Sequence, residues 1–168
     1  TFFNRFKYLI KYRTFHMETI KAEAKHKKQV LKLLDDFRTE SSKLINPGKS
    51  FVSTSARDCG GPVFDRVIKS NDYAIFLAKE GKQFIGIATV SKIPQVRKGT
   101  FYAEVEEMFV IPMFQGKGVA NRIIDAITKW AKENNIKSIR LESSNELKRA
   151  HAFYEKSGFR FYGRAYEK

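Results

Sequence analysis

The stretch from Val105 to Ala131, VEEMFVIPMFQGKGVANRIIDAITKWA, constrains what this chain can fold into more than any other. It reads as a strand, a glycine-bearing turn and a helix. Val105 to Ile111 is branched, aromatic or otherwise apolar apart from Glu106 and Glu107, and Pro112, with no N–H to donate, stops the ladder. Val119, Ile123, Ile127 and Trp130 then recur at helical spacing, with Ala120, Ile124 and Ala131 on the same face. Gly116 and Gly118 let the backbone turn tightly just before the helix. Its first turn offers unpaired N–H groups and about half a positive charge, which suits a phosphate or pyrophosphate. Lys117 adds a mobile cation.

A Gly-x-Gly before a helix is often only a loop, so the competing phosphate motifs need testing. Walker A requires Ser or Thr after Gly-Lys, and here Gly118 follows Lys117. The dinucleotide fingerprint wants Gly or Ala at position 121, which is Asn121. What the residues do match is Gln115-x-x-Gly118-x-Ala120 after a strand ending Met108-Phe109-Val110-Ile111-Pro112. This resembles the acyl-coenzyme A loop of the GNAT superfamily of N-acetyltransferases. A second stretch, Ala150-His151-Ala152-Phe153-Tyr154-Glu155-Lys156-Ser157-Gly158-Phe159, is similar to the C-terminal signature of the same family.

The rest of the chain is compatible with that resemblance. A length of 168 residues suits one domain with a sizeable core. No run approaches the roughly 20 apolar residues that span a bilayer. The single cysteine, Cys59, excludes an internal disulfide and is compatible with the reducing cytoplasm, where we place the protein. His16, His26 and His151 are scattered, and no metal is expected. The net charge of +14 raises the question of nucleic acid. Arg5, Lys7, Lys11 and Arg13 supply part of it, and the remaining cations are spread over helices and turns. A solvated basic surface is the preferred reading over a nucleic-acid partner, and a basic rim would also assist capture of an anionic coenzyme.

Residues 1–16, aromatic and basic throughout, read as an N-terminal extension, either a partner- or membrane-surface arm or, in the preferred reading, a loosely packed addition. Residues 17–168 read as a single domain. Met17 to Ala22 forms a first strand, and Val30, Leu33, Leu34 and Phe37 mark a helix extending from near Ala24 toward Ser41. Ser41 to Gly61 is irregular. Pro62 to Ser70 reads as a short helix, and Tyr73–Ala78 and Gln83–Ser91 as strands of a hairpin. Gly86 marks a close backbone approach or a bulge. Thr100–Ile111 is a long strand with a bulge near its middle. Ile136–Glu142 alternates as a strand. Ser143-Ser144-Asn145 would cap a helix from about Glu146 to Lys156, and Phe159–Tyr166 would be a last strand. The order is β-α-α-β-β-β-α-β-α-β, an α/β (α+β) arrangement. It resembles the GNAT fold, a mixed, mostly antiparallel sheet of about six strands flanked by about four helices.

The resemblance implies an acetyl-CoA-dependent N-acetyltransferase, with acetyl-CoA as co-substrate and direct attack by a primary amine within a ternary complex. Tyr154 would be the general acid that protonates the departing thiolate. A base is needed because the ammonium cannot attack. Glu104 and Glu106 match bases used by different relatives, with water as a further option and Glu104 slightly preferred. Alternation places Glu104, Glu106, Met108 and Val110 on one face of the strand and Glu107 on the other, unless a bulge alters the parity. The family's strand backbone, here Met108, Phe109 and Val110, would receive the thioester carbonyl and pair with the pantetheine arm. Gln115, Gly116, Lys117, Gly118, Val119 and Ala120 would hold the pyrophosphate. Many relatives carry an asparagine where this chain has Leu147; Asn145 either reaches the pantetheine from the loop or caps the helix. The acceptor, a small-molecule or peptide amine, would be met by Ser41–Gly61 and Pro94–Gly99. Homodimers are common among relatives. The alternative to an enzyme is a non-catalytic module on the same fold that binds an acyl-CoA or a nucleic acid.

Overall fold

A computed structural model describes residues 16–45, 47, 48 and 55–163. Most of the N-terminal extension, most of the stretch 46–54 and residues 164–168 lie outside the described residues. In chain order the elements are β1 (Met17–Lys21), α1 (Lys27–Ile45), α2 (Ala56–Cys59), α3 (Gly61–Val67), β2 (Tyr73–Glu80), β3 (Gln83–Gln95), β4 (Thr100–Val110), α4 (Val119–Glu133), β5 (Ile139–Leu141) and α5 (Lys148–Lys156). Five strands lie in the order β1-β2-β3-β4-β5. The first four pair antiparallel, and β5 joins β4 in parallel. Among the described residues no helix is long and apolar enough to cross a membrane.

Both faces of the sheet are covered, because alternate strand residues are apolar on each. On one face Phe76, Val90, Val105 and Val110 pack against Val119, Ile123, Ile127 and Trp130 of α4. On the other, Ile75, Leu77, Ile87 and Phe109 pack against Val30 and Leu33 of α1 and Phe64 of α3. Gly86 serves the first layer. A Cβ there would meet Ile123 Cδ1 at 3.1 Å, the Phe109 carbonyl oxygen at 3.1 Å and Val119 Cγ1 at 3.3 Å. Its bare backbone therefore lets the first turns of α4 lie close to the strand.

Four expectations need correction. Ser41–Gly61 is not irregular throughout: α1 runs on to Ile45, and Ala56–Cys59 is helical. The described residues form five strands, not about six; Phe159–Gly163 forms no strand, and the remainder of that expected element lies outside the described residues. β5 is shorter than its alternating pattern, because Ile136 completes the end of α4. Asn135 takes a left-handed φ of 57°, and the Ile136 N–H donates to the Ala131 carbonyl at 2.8 Å, burying the Ile136 side chain. Finally, Ser143-Ser144-Asn145 does not cap α5. The helix starts later, with Leu147 at its N-cap, after a turn in which the Leu147 N–H donates to the Ser144 carbonyl at 3.0 Å. The Ser144 hydroxyl is spent on Glu146.

Candidate active site

β4 carries the site, and its partner strands leave it half free. Its register with β5 ends at Val105↔Leu141, while β4 runs on to Val110. On its other side it follows β3 throughout, and the Ile111 N–H donates to the Ile85 carbonyl at 3.0 Å. Antiparallel pairing alternates, so Phe109 and Glu107 turn their backbone groups to β3, and Met108 and Val110 turn theirs into the gap beside β5. Among the described residues the gap is therefore edged by Met108 and Val110 peptide groups that no strand pairs, the requirement for an extended ligand to add as a strand. Gln115 Nε2 donates to the Val110 carbonyl at 3.0 Å, which ties the following turn to this edge.

That turn ends at the N-terminus of α4. Gly116 and Gly118 have φ of 74° and 80°, left-handed values that β-carbon-bearing residues resist. Gly118 is the N-cap and supplies no side-chain acceptor, so the first N–H groups of a 15-residue helix are open to an anion. Val119 contributes only its backbone there, since its side chain is buried in the core. Phe109 faces neither feature; its ring stacks near Phe37, 5.8 Å between centroids.

The carboxylates depend on a bulge. The β3–β4 register shifts between Thr89↔Glu107 and Val90↔Val105, leaving Glu106 as the extra residue. Val105, Met108 and Val110 therefore share the α4 face. Glu104, Glu106 and Glu107 gather on the α1 face, opposite the parity that alternation alone gives Met108 and Val110. Glu106 accepts from the Tyr73 hydroxyl at 3.3 Å and from Ser91. Glu107 is more enclosed. Its backbone N–H donates to Thr89 Oγ1 at 3.2 Å, and its Oε2 is buried without a hydrogen-bond partner among the described residues. Burial, and then the nearby Glu106 charge, push its pKa up to about 7. Glu104 is raised as well, by burial first and then by Glu142, with Arg140 opposing. Burial also raises Tyr73. Glu107 is the residue that sequence reasoning passed over; the bulge expected near the middle of the strand is present, but the position that turns Glu107 toward its neighbours leaves no mark in residue type.

Tyr154 lies on α5, part-buried, with its ring edge-on to Phe153 and Phe159 at 5.5 and 5.8 Å. The helix ends in a Schellman turn, with Phe159 N–H to the Tyr154 carbonyl and Gly158 N–H to the Glu155 carbonyl, both 3.0 Å. Gly158, at φ 88°, makes this turn and sets Phe159 against the tyrosine. Burial raises the Tyr154 pKa, and its hydroxyl has no hydrogen-bond partner among the described residues. Asn145 is exposed, as are Pro94 and Val96 to Gly99. A cavity of about 180 Å³ opens between α1 and the end of β4, lined by Asp36, Thr39, Glu40, Phe109, Ile111 and Pro112.

A mixed sheet that parts beside a glycine-led helix N-terminus defines an acyltransferase class of fold. The model of the acetyltransferase (GNAT) family matches residues 33–159, and the chain belongs to that family. It is 25% identical over 121 residues to YhfO, an uncharacterized N-acetyltransferase of Bacillus subtilis (strain 168), a match spanning 69% of this chain and 78% of that protein. Among solved structures it is similar to a transcriptional regulator from Bacillus halodurans C-125, with a TM-score of 0.76, 18% identity and coverage of 91% of this chain and 99% of that one. The aminoglycoside N-acetyltransferase AAC(6')-Iy in complex with CoA has a TM-score of 0.71 and 22% identity, over 94% of this chain and 97% of that one. At these identities the structures share the fold.

Proposed function

We propose that the protein is a cytoplasmic acetyl-CoA-dependent N-acetyltransferase that moves an acetyl group directly to a primary amine. The observation that carries this is the parted β4 edge, where Met108 and Val110 have no strand partner among the described residues and the chain continues into the uncapped N-terminus of α4. An extended thioester arm and a diphosphate are the chemistry this pair of features accepts. Gln115 to Ala120 would enclose the diphosphate through backbone N–H groups, with Lys117 beside them.

The proton steps fall to the side chains. Glu107 takes a proton from the acceptor ammonium; its pKa of about 7 suits a base that must be free near neutral pH yet strong enough to accept. Glu104 and Glu106, on the same face, hold the cation in place. The Met108 and Val110 N–H groups meet the carbonyl oxygen as it gains charge. Tyr154 donates to the departing sulfur, and its raised pKa keeps the hydroxyl protonated at working pH. The new C–N bond replaces the C–S bond, and the products are the amide, the free thiol and one proton.

Free-thiol release from acetyl-CoA with a panel of primary amines tests the reading. Tyr154→Phe is expected to lower the rate roughly a hundredfold while leaving acetyl-CoA binding in place. A variant that releases thiol as fast as the wild type removes Tyr154 from the mechanism.

A further inference from the structure

One cation beside the carboxylate cluster faces Glu104 and acts on its charge, yet forms no salt bridge among the described residues. Arg140 of β5 stands opposite Glu104 in the parallel register, so it shares the α1 face with Glu104 and Tyr102. Its guanidinium lies 4.1 Å from the centroid of the Tyr102 ring and 4.8 Å from that of Tyr162, on the chain leaving α5. Every ion pair formed among the described residues uses other cations, and no hydrogen bond to Arg140 is present among them. Two rings thus flank the guanidinium, and among the described residues its N–H donors are unspent. This is the arrangement in which arginine is pre-organised for a bidentate oxyanion.

We infer that Arg140, held between Tyr102 and Tyr162 beside the Glu104–Glu107 cluster, binds a carboxylate of the amine acceptor, making that acceptor an amino-acid-like zwitterion. The inference rests on the acetyl-transfer reading and narrows its substrate. Glu104 and Glu107 are separated along β4 by roughly two ladder steps, about 7 Å. The guanidinium lies over Tyr102, two residues before Glu104, so an ammonium at Glu106 and Glu107 and a carboxylate at Arg140 fall on one face roughly 10 Å or more apart, a spacing for an amino acid with a long amine arm. Tyr162, 71% exposed, forms the outer wall of the clamp and leaves it open to solvent on that side.

The test compares each of the common amino acids with its own carboxamide, and lysine also with 1,5-diaminopentane, as acceptors in thiol release by the whole chain. At least one amino acid is expected to exceed its amide in kcat/KM by about tenfold or more, the worth of one charge-assisted contact. In Arg140→Gln that ratio is expected to collapse toward one, with Arg140→Lys between. Tyr162→Leu, which loosens the clamp from its exposed side without touching the sheet, is expected to lower the ratio too. Amides or diamines turned over as well as amino acids overturn the inference while leaving the transferase reading intact, as does a ratio that survives in both Arg140→Gln and Tyr162→Leu. Thiol release that no amine accelerates above the rate without amine overturns both.

Discussion

Glu107 carries the strongest claim about a single residue, because one property, a proton held to about pH 7, has consequences for both stability and rate. Its folded pKa lies above the ordinary 4.5. Between those values the unfolded chain ionises while the folded protein keeps the proton, so this group's contribution to stability is whole below pH 4.5 and is lost as pH rises through about 7. Glu107→Gln removes that loss. Thermal melts are expected to show the variant gaining on the wild type at pH 8 and matching it near pH 4. The same substitution should lower the transfer rate roughly a hundredfold and erase the rise in kcat/KM near pH 7. A variant that retains that rise transfers the role to Glu104 or Glu106. The sequence showed three glutamates together in a basic chain, and Tyr154 in a helix-end signature, because residue types and spacings carry those. It did not show which way each carboxylate points. One extra residue in a strand turns every later side chain over, and Glu106 is marked as that residue only by the β3–β4 register.

Two joints between elements hold the site in shape. At Gly86 the α4 helix approaches β3 so closely that Gly86→Ala would press on the Phe109 carbonyl, which cannot yield as a side-chain tip can. Overpacking of this kind destabilises by about 1–3 kcal/mol. Because the contact lies at the first turn of α4, acetyl-CoA affinity in calorimetry should fall more than the melting temperature alone would suggest. Equal effects would show that α4 is not held in register by this contact. The second joint is Asp35 of α1, 3% exposed, which takes Ser55 Oγ at 2.8 Å, the Ala56 N–H at 2.7 Å and Arg57 Nε at 2.5 Å. It caps α2 from another helix. Burial acts to raise its pKa, but the hydrogen bonds from Arg57, Ser55 and the Ala56 and Arg57 N–H groups outweigh it and hold the carboxyl below its ordinary 3.8. Its contribution is present above that value and is lost as pH falls through the folded pKa. Asp35→Ala should cost about 2–4 kcal/mol in denaturant melts at pH 7, and the difference should shrink in acid. A constant difference down to pH 2 would mean that packing, not ionised hydrogen bonding, is what Asp35 supplies. Gly86 was readable as a point of close approach, since a glycine inside a strand has few other uses. The Asp35 joint was not, because the partners lie twenty and more residues apart and no periodicity links them.

For the molecule as a whole, the question is what a net charge of +14 serves on a fold that resembles a coenzyme A enzyme. Charge of one sign over the surface repels itself in the compact state, and an anionic ligand that binds only the folded form relieves part of that repulsion. Acetyl-CoA at a hundred times its dissociation constant should therefore stabilise the chain by about 2.7 kcal/mol, which for a domain of this length is roughly 5–10 °C in melting temperature. The phosphate contacts proposed at the α4 N-terminus would be partly electrostatic, so the shift measured at a fixed ligand concentration should shrink as salt rises from about 50 to about 500 mM. Dephosphorylated pantetheine thioester, which lacks the diphosphate, should give a smaller shift with little salt dependence. The pattern separates the two uses of the charge. A shift from acetyl-CoA that depends on the diphosphate assigns the basic surface to coenzyme capture. No shift at millimolar acetyl-CoA, together with a large salt-sensitive one from a short oligonucleotide, would assign the parted strand and the basic surface to a binding module, and the carboxylates facing α1 would then have no ammonium to deprotonate.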